Sequence, residues 1–265
     1  MFKAFYWMFT DAAVKEMFLK NIKFILITAL IATVMFFIAS LFITNFIIGG
    51  LLFILAIIAL LLTTLLIIGY FWEMTANIIE RKTDILSSSV YDGKTKALEK
   101  ITLPDINFKK CIWRGIASSV AMLIMELPVI LLLMSRVFLN NELLLPIAII
   151  LQLSIWFLSP GLFWNYAKKD SVFSILNVYT AGHLLEKRPG RYLWNCLLLI
   201  LNFILLGLLT ISLNYIFSAS TPPDINNPLE MLKYSIYMLL AYIPWLYNIH
   251  VKSFLIGTLG DTNDF

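Results

Sequence analysis

Residues 160–194 read PGLFWNYAKKDSVFSILNVYTAGHLLEKRPGRYLW, and this stretch decides how the chain is threaded. An apolar span closes on Gly161-Leu162-Phe163-Trp164, two lysines follow, and a half-polar helical segment occupies residues 171–187. The turn Lys187-Arg188-Pro189-Gly190-Arg191-Tyr192 then opens another apolar span. Two greasy segments joined by a basic, amphipathic one read as a joint between membrane hairpins, kept on the cytoplasmic side by its positive charge.

Composition supports that reading along the whole chain. The 265 residues are 60% hydrophobic and only 14% charged, with mean hydropathy +0.87. A soluble domain carries about 25% charged residues, and uninterrupted apolar runs of about 18 or more residues are membrane spans by default. The net charge of +4 is spread too thinly for a nucleic-acid surface. Cys111 and Cys196 fall near cytoplasmic span ends, where a reducing compartment keeps thiols free. His183 and His250 lie far apart without a cysteine cluster, so no zinc site or other cofactor is expected.

Outward from the joint, the apolar runs give six spans: residues 24–44, 51–72, 113–135, 143–164, 193–217 and 234–256. The turns at 45–50 and 136–142 are short, so consecutive spans pair into three antiparallel hairpins. Residues 2–20 carry Phe2, Phe5, Tyr6, Phe9, Ala13 and Met17 at helical spacing with Lys3, Asp11 and Lys15 opposite. That pattern predicts an amphipathic helix lying in the interface. The 73–112 stretch should begin as a helix through residue 82 and then break at Ser87-Ser88-Ser89 and Asp92-Gly93. It reads as a solvated cytoplasmic loop, the natural contact for a protein partner. Residues 218–233 form the longest outer loop. The tail after Gly260 reads as disordered.

Lysine and arginine placement orients the chain. Eighteen lie in the N-terminal segment, the 73–114 and 165–192 stretches and at Lys252, against Arg136 and Lys233 in the outer turns. Both termini should face the cytoplasm of a prokaryotic cell, with the protein in its inner membrane. Trp72, Trp113, Trp164, Trp194 and Trp245 close or open spans on that same side, as indoles at the headgroup level do.

The device at 160–194 has weaker copies. Gly69-Tyr70-Phe71-Trp72 closes span 2 as Gly161-Leu162-Phe163-Trp164 closes span 4, and Lys109-Lys110-Cys111-Ile112-Trp113 parallels Gly190-Arg191-Tyr192-Leu193-Trp194. The single membrane domain, 1–265, thus divides into three parallel units, about 1–72, 73–164 and 165–250. Gly69-Tyr70, Leu103-Pro104-Asp105, Gly115 and the Pro189-Gly190-Arg191-Tyr192 turn together resemble an uncharacterised bacterial and archaeal multi-pass membrane family, defined only as a domain of unknown function. The likeness spans roughly residues 20–255, with the 83–100 insertion as a departure. It implies the architecture and no chemistry.

Few residues remain to carry function. Glu126 is the one acid well inside a span, and the tight hairpin sets Gln152 at about its depth. A charged carboxylate at mid-bilayer costs about 3 kcal/mol or more. Glu126 is therefore either a protonated partner holding two helices together or part of a proton- or cation-handling site, with Pro128 loosening the helix. Asn202 is a second intramembrane amide. Lys168, Lys169, Lys187, Arg188 and Arg191, with Trp72, Trp164 and Trp194, are the candidate contacts to membrane lipid headgroups. Ser118 and Ser119 have no base within helical reach, and no paired acids, Gly-x-Ser-x-Gly or His-Glu helix motif occurs. The expectation is a non-enzymatic, lipid-interacting or complex-forming membrane module. The competing reading is a small transporter or channel built on Glu126 and Gln152.

Overall fold

The computed structural model describes residues 12–42, 46–92, 107–217 and 227–260. Among them are seven α-helices: α1 Ala12–Leu41, α2 Phe46–Asp92, α3 Phe108–Leu139, α4 Leu144–Lys169, α5 Val178–Lys187, α6 Pro189–Phe217 and α7 Pro228–Gly257. A 3-10 turn, Val172–Leu176, links α4 to α5. No described residue is in a strand.

Local chemistry sets several of the ends. The Asn107 side chain accepts the Lys110 N–H at 3.1 Å and caps α3. Asn140, at φ 48°, stops the same helix in the left-handed conformation and returns its N–H to Arg136 O. Asn227 caps α7 by accepting the Leu229 N–H at 3.1 Å, ahead of Pro228 in the first turn. Asp170, at φ 51°, ends α4 by the left-handed route and turns the chain into the joint.

Five helices are long and apolar enough to cross a bilayer: residues 19–39, 48–80, 108–139, 144–169 and 189–217. Between 11% and 28% of each of their most apolar windows is buried within the chain. Leu, Ile and Phe side chains left bare to that degree suit lipid rather than water, and these helices are those of a membrane-embedded protein. The seventh helix has the length but not the hydropathy, because Tyr234, Tyr237, Tyr242, Tyr247, Asn248 and His250 dilute it.

Packing is concentrated at one end. Tyr70, Trp72, Met74 and Ile78 of α2, Cys111 and Ala121 of α3, Trp164 and Tyr166 of α4, Leu184 of α5, Tyr192 and Leu198 of α6, and Leu246, Leu255 and Ile256 of α7 form one buried cluster. Neighbours in sequence pack together (α1 on α2, α2 on α3, α3 on α4, α6 on α7), and α7 also returns to α1 and α2. Lipid tails are as apolar as leucine, so burial of apolar surface drives little here, and close backbone contact and polar links carry more. At the α2–α3 crossing the chain uses glycine twice. A Cβ on Gly69 would collide with the Cys111 backbone, and one on Gly115 with the backbone of Leu65.

Three sequence expectations change. Helix α2 runs unbroken through Ser87-Ser88-Ser89 to Asp92, because serine costs a helix only a few tenths of a kcal/mol and no glycine or proline lies between Gly69 and Gly93 to break it. The 73–112 stretch is therefore not a solvated loop in its first part, since Met74, Thr75, Ala76, Ile78 and Ile79 are buried. Residues 12–20 are the first turns of α1 and not a separate interfacial helix. Its other half, 2–11, lies outside the described residues, as do 93–106, the outer loop at 218–226 and the tail at 261–265.

Candidate functional site

Glu126 and Gln152 do meet. The Gln152 Nε2 donates to Glu126 Oε1 at 3.2 Å, linking α3 to α4, with both side chains half-buried. The pair links the two arms of one hairpin at unequal distances from its turn, Glu126 standing 13 residues before the end of α3 at Leu139 and Gln152 8 residues after the start of α4 at Leu144. Pro128 lies inside α3 half a turn further on. The neighbouring concavity on α4 is an open apolar groove lined by Ile150, Leu153, Ser154, Phe157 and Leu158, and neither Glu126 nor Gln152 lines it.

Asn202 faces Asn248. Its Nδ2 donates to the Asn248 side-chain oxygen and reaches the Asn248 carbonyl at 3.5 Å, with both residues buried. This amide pair bolts α6 to α7. Asn248 went unread in the sequence because its partner is 46 residues away.

Two further polar groups were also missed. In the first, Asn21 Nδ2 donates to the Tyr70 hydroxyl at 2.8 Å, and that oxygen lies 3.4 Å from His250 Nε2. His250 Nδ1 is 2.6 Å from the Leu246 carbonyl. A carbonyl only accepts, so Nδ1 carries the proton and Nε2 is left to accept from Tyr70. The chain Asn21–Tyr70–His250 ties α1, α2 and α7 with no exposed tyrosine or histidine surface. Ser253 adds a bond to Phe71 O at 3.3 Å.

The second is ionic. Arg114 Nη1 lies 2.8 Å from Glu73 Oε1 and its Nε 2.8 Å from Asp170 Oδ1, while Lys110 Nζ lies 2.8 Å from Glu73 Oε2. Helices α2 and α3 and the cap of α4 thus share one network whose central guanidinium is about one-tenth exposed. A planar fork suits two carboxylates at once. Glu73, Arg114 and Asp170 each read in sequence as ordinary span-end charges.

The expected headgroup contacts divide. Lys169 and Lys187 are exposed, Arg188 and Arg191 are half-buried, and Lys168 sits over the Trp164 ring at 5.0 Å. Trp194 is 37% exposed. Trp72 and Trp164, by contrast, have no exposed surface and cannot touch a headgroup. Trp72 instead packs edge-on against Phe163 and Tyr166, because the indole faces a neighbouring helix and not lipid. His183 is half-buried beside Tyr179, their rings 6.0 Å apart. Cys111 and Cys196 are free thiols. Ser118 and Ser119 both donate to Gly115 O, which spends their hydroxyls on the helix.

No protein-family model, curated protein or solved structure matches the chain. The resemblance drawn from Gly69-Tyr70, Leu103-Pro104-Asp105 and the Pro189-Gly190 turn therefore rests on those short motifs alone.

Proposed function

We propose that this chain is a non-enzymatic, lipid-interacting membrane module, six spans in three hairpins, set in the prokaryotic inner membrane with both termini cytoplasmic. The observation that carries the reading is the burial pattern. The interior is dense at the end bearing the basic residues, and the rest of each span is left bare for lipid. Two pairs of polar side chains inside the spans bind one another, Glu126 with Gln152 and Asn202 with Asn248. In this reading the sixth span is α7, where Asn248 binds Asn202 of α6, His250 meets Tyr70 of α2, and Tyr234, Tyr237, Tyr242 and Tyr247 are half-buried. A three-unit repeat is supported by one parallel. Gly69 abuts Cys111 and Gly161 abuts Tyr192, and Cys111 and Tyr192 each stand two residues before the opening tryptophan of the next span.

The test is purification from native membranes with identification of the lipids and proteins retained. Specific lipids retained at fixed stoichiometry support the module, and a stripped, lipid-free protein of unchanged stability counts against it. Orientation is checked by thiol labelling of single cysteines at Asn140 and Lys169 after Cys111 and Cys196 are replaced. Label reaching Asn140 only from the cytoplasm would reverse the topology.

The transporter reading keeps one specific observation: a carboxyl held by an amide, half-buried, midway along α3. Glu126→Gln preserves that hydrogen bond and removes the proton site. Proton or cation flux into vesicles that disappears in this variant would promote transport over the module.

A further inference from the structure

The joint between α4 and α6 does not stand clear of the bundle. Asn165 Nδ2 donates to Ser174 O at 2.7 Å, and Gly161 lies so close to Ala181 that a Cβ there would come within 2.7 Å of the Ala181 Cα. The 3-10 turn and α5 are thus folded back along the last two turns of α4. At about 1.5 Å per residue they lie level with points about 6–12 Å short of its end at Lys169. Tyr192 reaches deeper from the start of α6: its ring lies beside Gly161, and its hydroxyl meets Phe157 O at 2.9 Å and Leu158 O at 3.2 Å, about 16–18 Å short of that end. Trp194 follows two residues on, 37% exposed, and Trp113 at the start of α3 is 70% exposed. Outward-facing indoles mark the headgroup level of a bilayer, and the joint sits at their depth.

One face of the joint is spent on the protein: Ser174, Ile175, Thr180, Ala181 and Leu184 are buried. The other offers Phe173 at 78% exposure, Tyr179 at 76%, Val178 at 53% and Leu176 at 37%. Such a group of large apolar side chains, clustered within seven residues, has no reason to face water. Exposed Lys169 and Lys187 stand at its two ends with half-buried Arg188 and Arg191 behind. Among the described residues, the acids on the joint itself are Glu186, exposed on α5, and Asp170, which is held by Arg114.

We infer that this joint is a monolayer-inserted wedge that binds the cytoplasmic leaflet. Phe173, Leu176, Val178 and Tyr179 enter the acyl–headgroup boundary, and Lys169 and Lys187 hold the phosphates of anionic phospholipids. This rests on the membrane-module reading and names its lipid contact. The buried face pins the wedge to α4, so it is carried as a rigid projection instead of partitioning on and off as a free amphipathic helix does.

The experiment uses the full chain, with Cys111 and Cys196 replaced, in vesicles of phosphatidylcholine with or without phosphatidylglycerol. An environment-sensitive fluorophore is placed on Phe173→Cys or, as an aqueous reference, on Asn140→Cys. The expected result is protection of the probe at 173 from aqueous iodide, with strongest quenching by lipids labelled near the headgroup, about 5–10 Å below the interface. In Lys169→Gln/Lys187→Gln, the preference for spin-labelled phosphatidylglycerol over phosphatidylcholine should fall, about fivefold for each cation removed. An integral protein whose 173 probe is quenched by iodide as fully as the 140 probe overturns the wedge and leaves the module reading standing. A protein released from vesicles by alkaline carbonate overturns the module reading itself. An unchanged lipid preference in the double lysine variant overturns the anionic-phosphate assignment.

Discussion

Gly69→Ala is the sharpest test of how the helices are held together. A Cβ built on residue 69 lies 2.7 Å from Cys111 Cα and closer still to the carbonyl of that residue. Ordinary contact begins near 3.4 Å, so α2 and α3 must separate by more than about 0.7 Å. The obstacle is backbone, so no rotamer change relieves it. Overpacking of this kind costs about 1–3 kcal/mol or more. It falls at a glycine crossing, where close approach is itself the source of attraction. Gly50→Ala is the matched control: among the described residues nothing lies within 4 Å of its Cβ, and replacing a helical glycine gains about 1 kcal/mol of propensity. The propensity gain is common to both positions and cancels, so the two alanine variants should differ by about 1–3 kcal/mol, read as a shift in the reversible unfolding midpoint when SDS is titrated into mixed micelles. Gly115→Ala strikes the same crossing from α3, against the Leu65 backbone. The double variant should cost less than the sum of the singles, because the first substitution has already parted the helices. If Gly69→Ala unfolds together with Gly50→Ala, the crossing does not hold the fold and the reasoning fails.

Other substitutions probe the polar links by the same titration. Tyr70→Phe leaves the buried Asn21 amide and His250 Nε2 without their shared partner and should lower stability by about 1–3 kcal/mol; a neutral outcome would mean that water or another group already serves them. Asn202→Leu strands the Asn248 amide at a cost of about 1 kcal/mol, and Asn202→Leu/Asn248→Leu should recover much of it, whereas additive losses would show that the two amides act separately. Arg114→Met removes the shared cation between Glu73 and Asp170 and should cost about 3 kcal/mol. Adding Glu73→Gln to that variant should restore part of the loss, and no restoration would place the cost in packing alone.

The sequence told apart what depends on spacing from what depends on direction. Five spans are legible from run length, and the tight turn after α3 makes legible the antiparallel pairing with α4 that brings Glu126 to Gln152. The fates of Trp72 and Trp113 were not. Both are tryptophans at span ends, yet one is fully buried and the other 70% exposed, and a run of leucines and isoleucines gives no sign of which side of a helix meets protein. Tyr70 and His250 were out of reach for another reason: 180 residues separate them, and only the return of α7 to α2 brings them together. The sequence pattern predicts the joint as a single helix over 171–187. Its actual break follows from Asn177, whose ψ of 83° ends the 3-10 turn before α5 begins.

The return of α7 also bears on how such a molecule is made. Leu246, Asn248, His250, Ser253, Leu255 and Ile256 are all buried, against helices completed from about thirty to about two hundred residues earlier. Until that segment arrives, Tyr70 has Asn21 but no imidazole, and Asn202 has an amide with nothing to hold. The earlier helices must therefore wait, inserted but open along one seam, for the last helix to close it. Assembly of these helices is thus gated by the synthesis of α7, and the seam is where a chaperone or quality-control protease would find an unfinished copy.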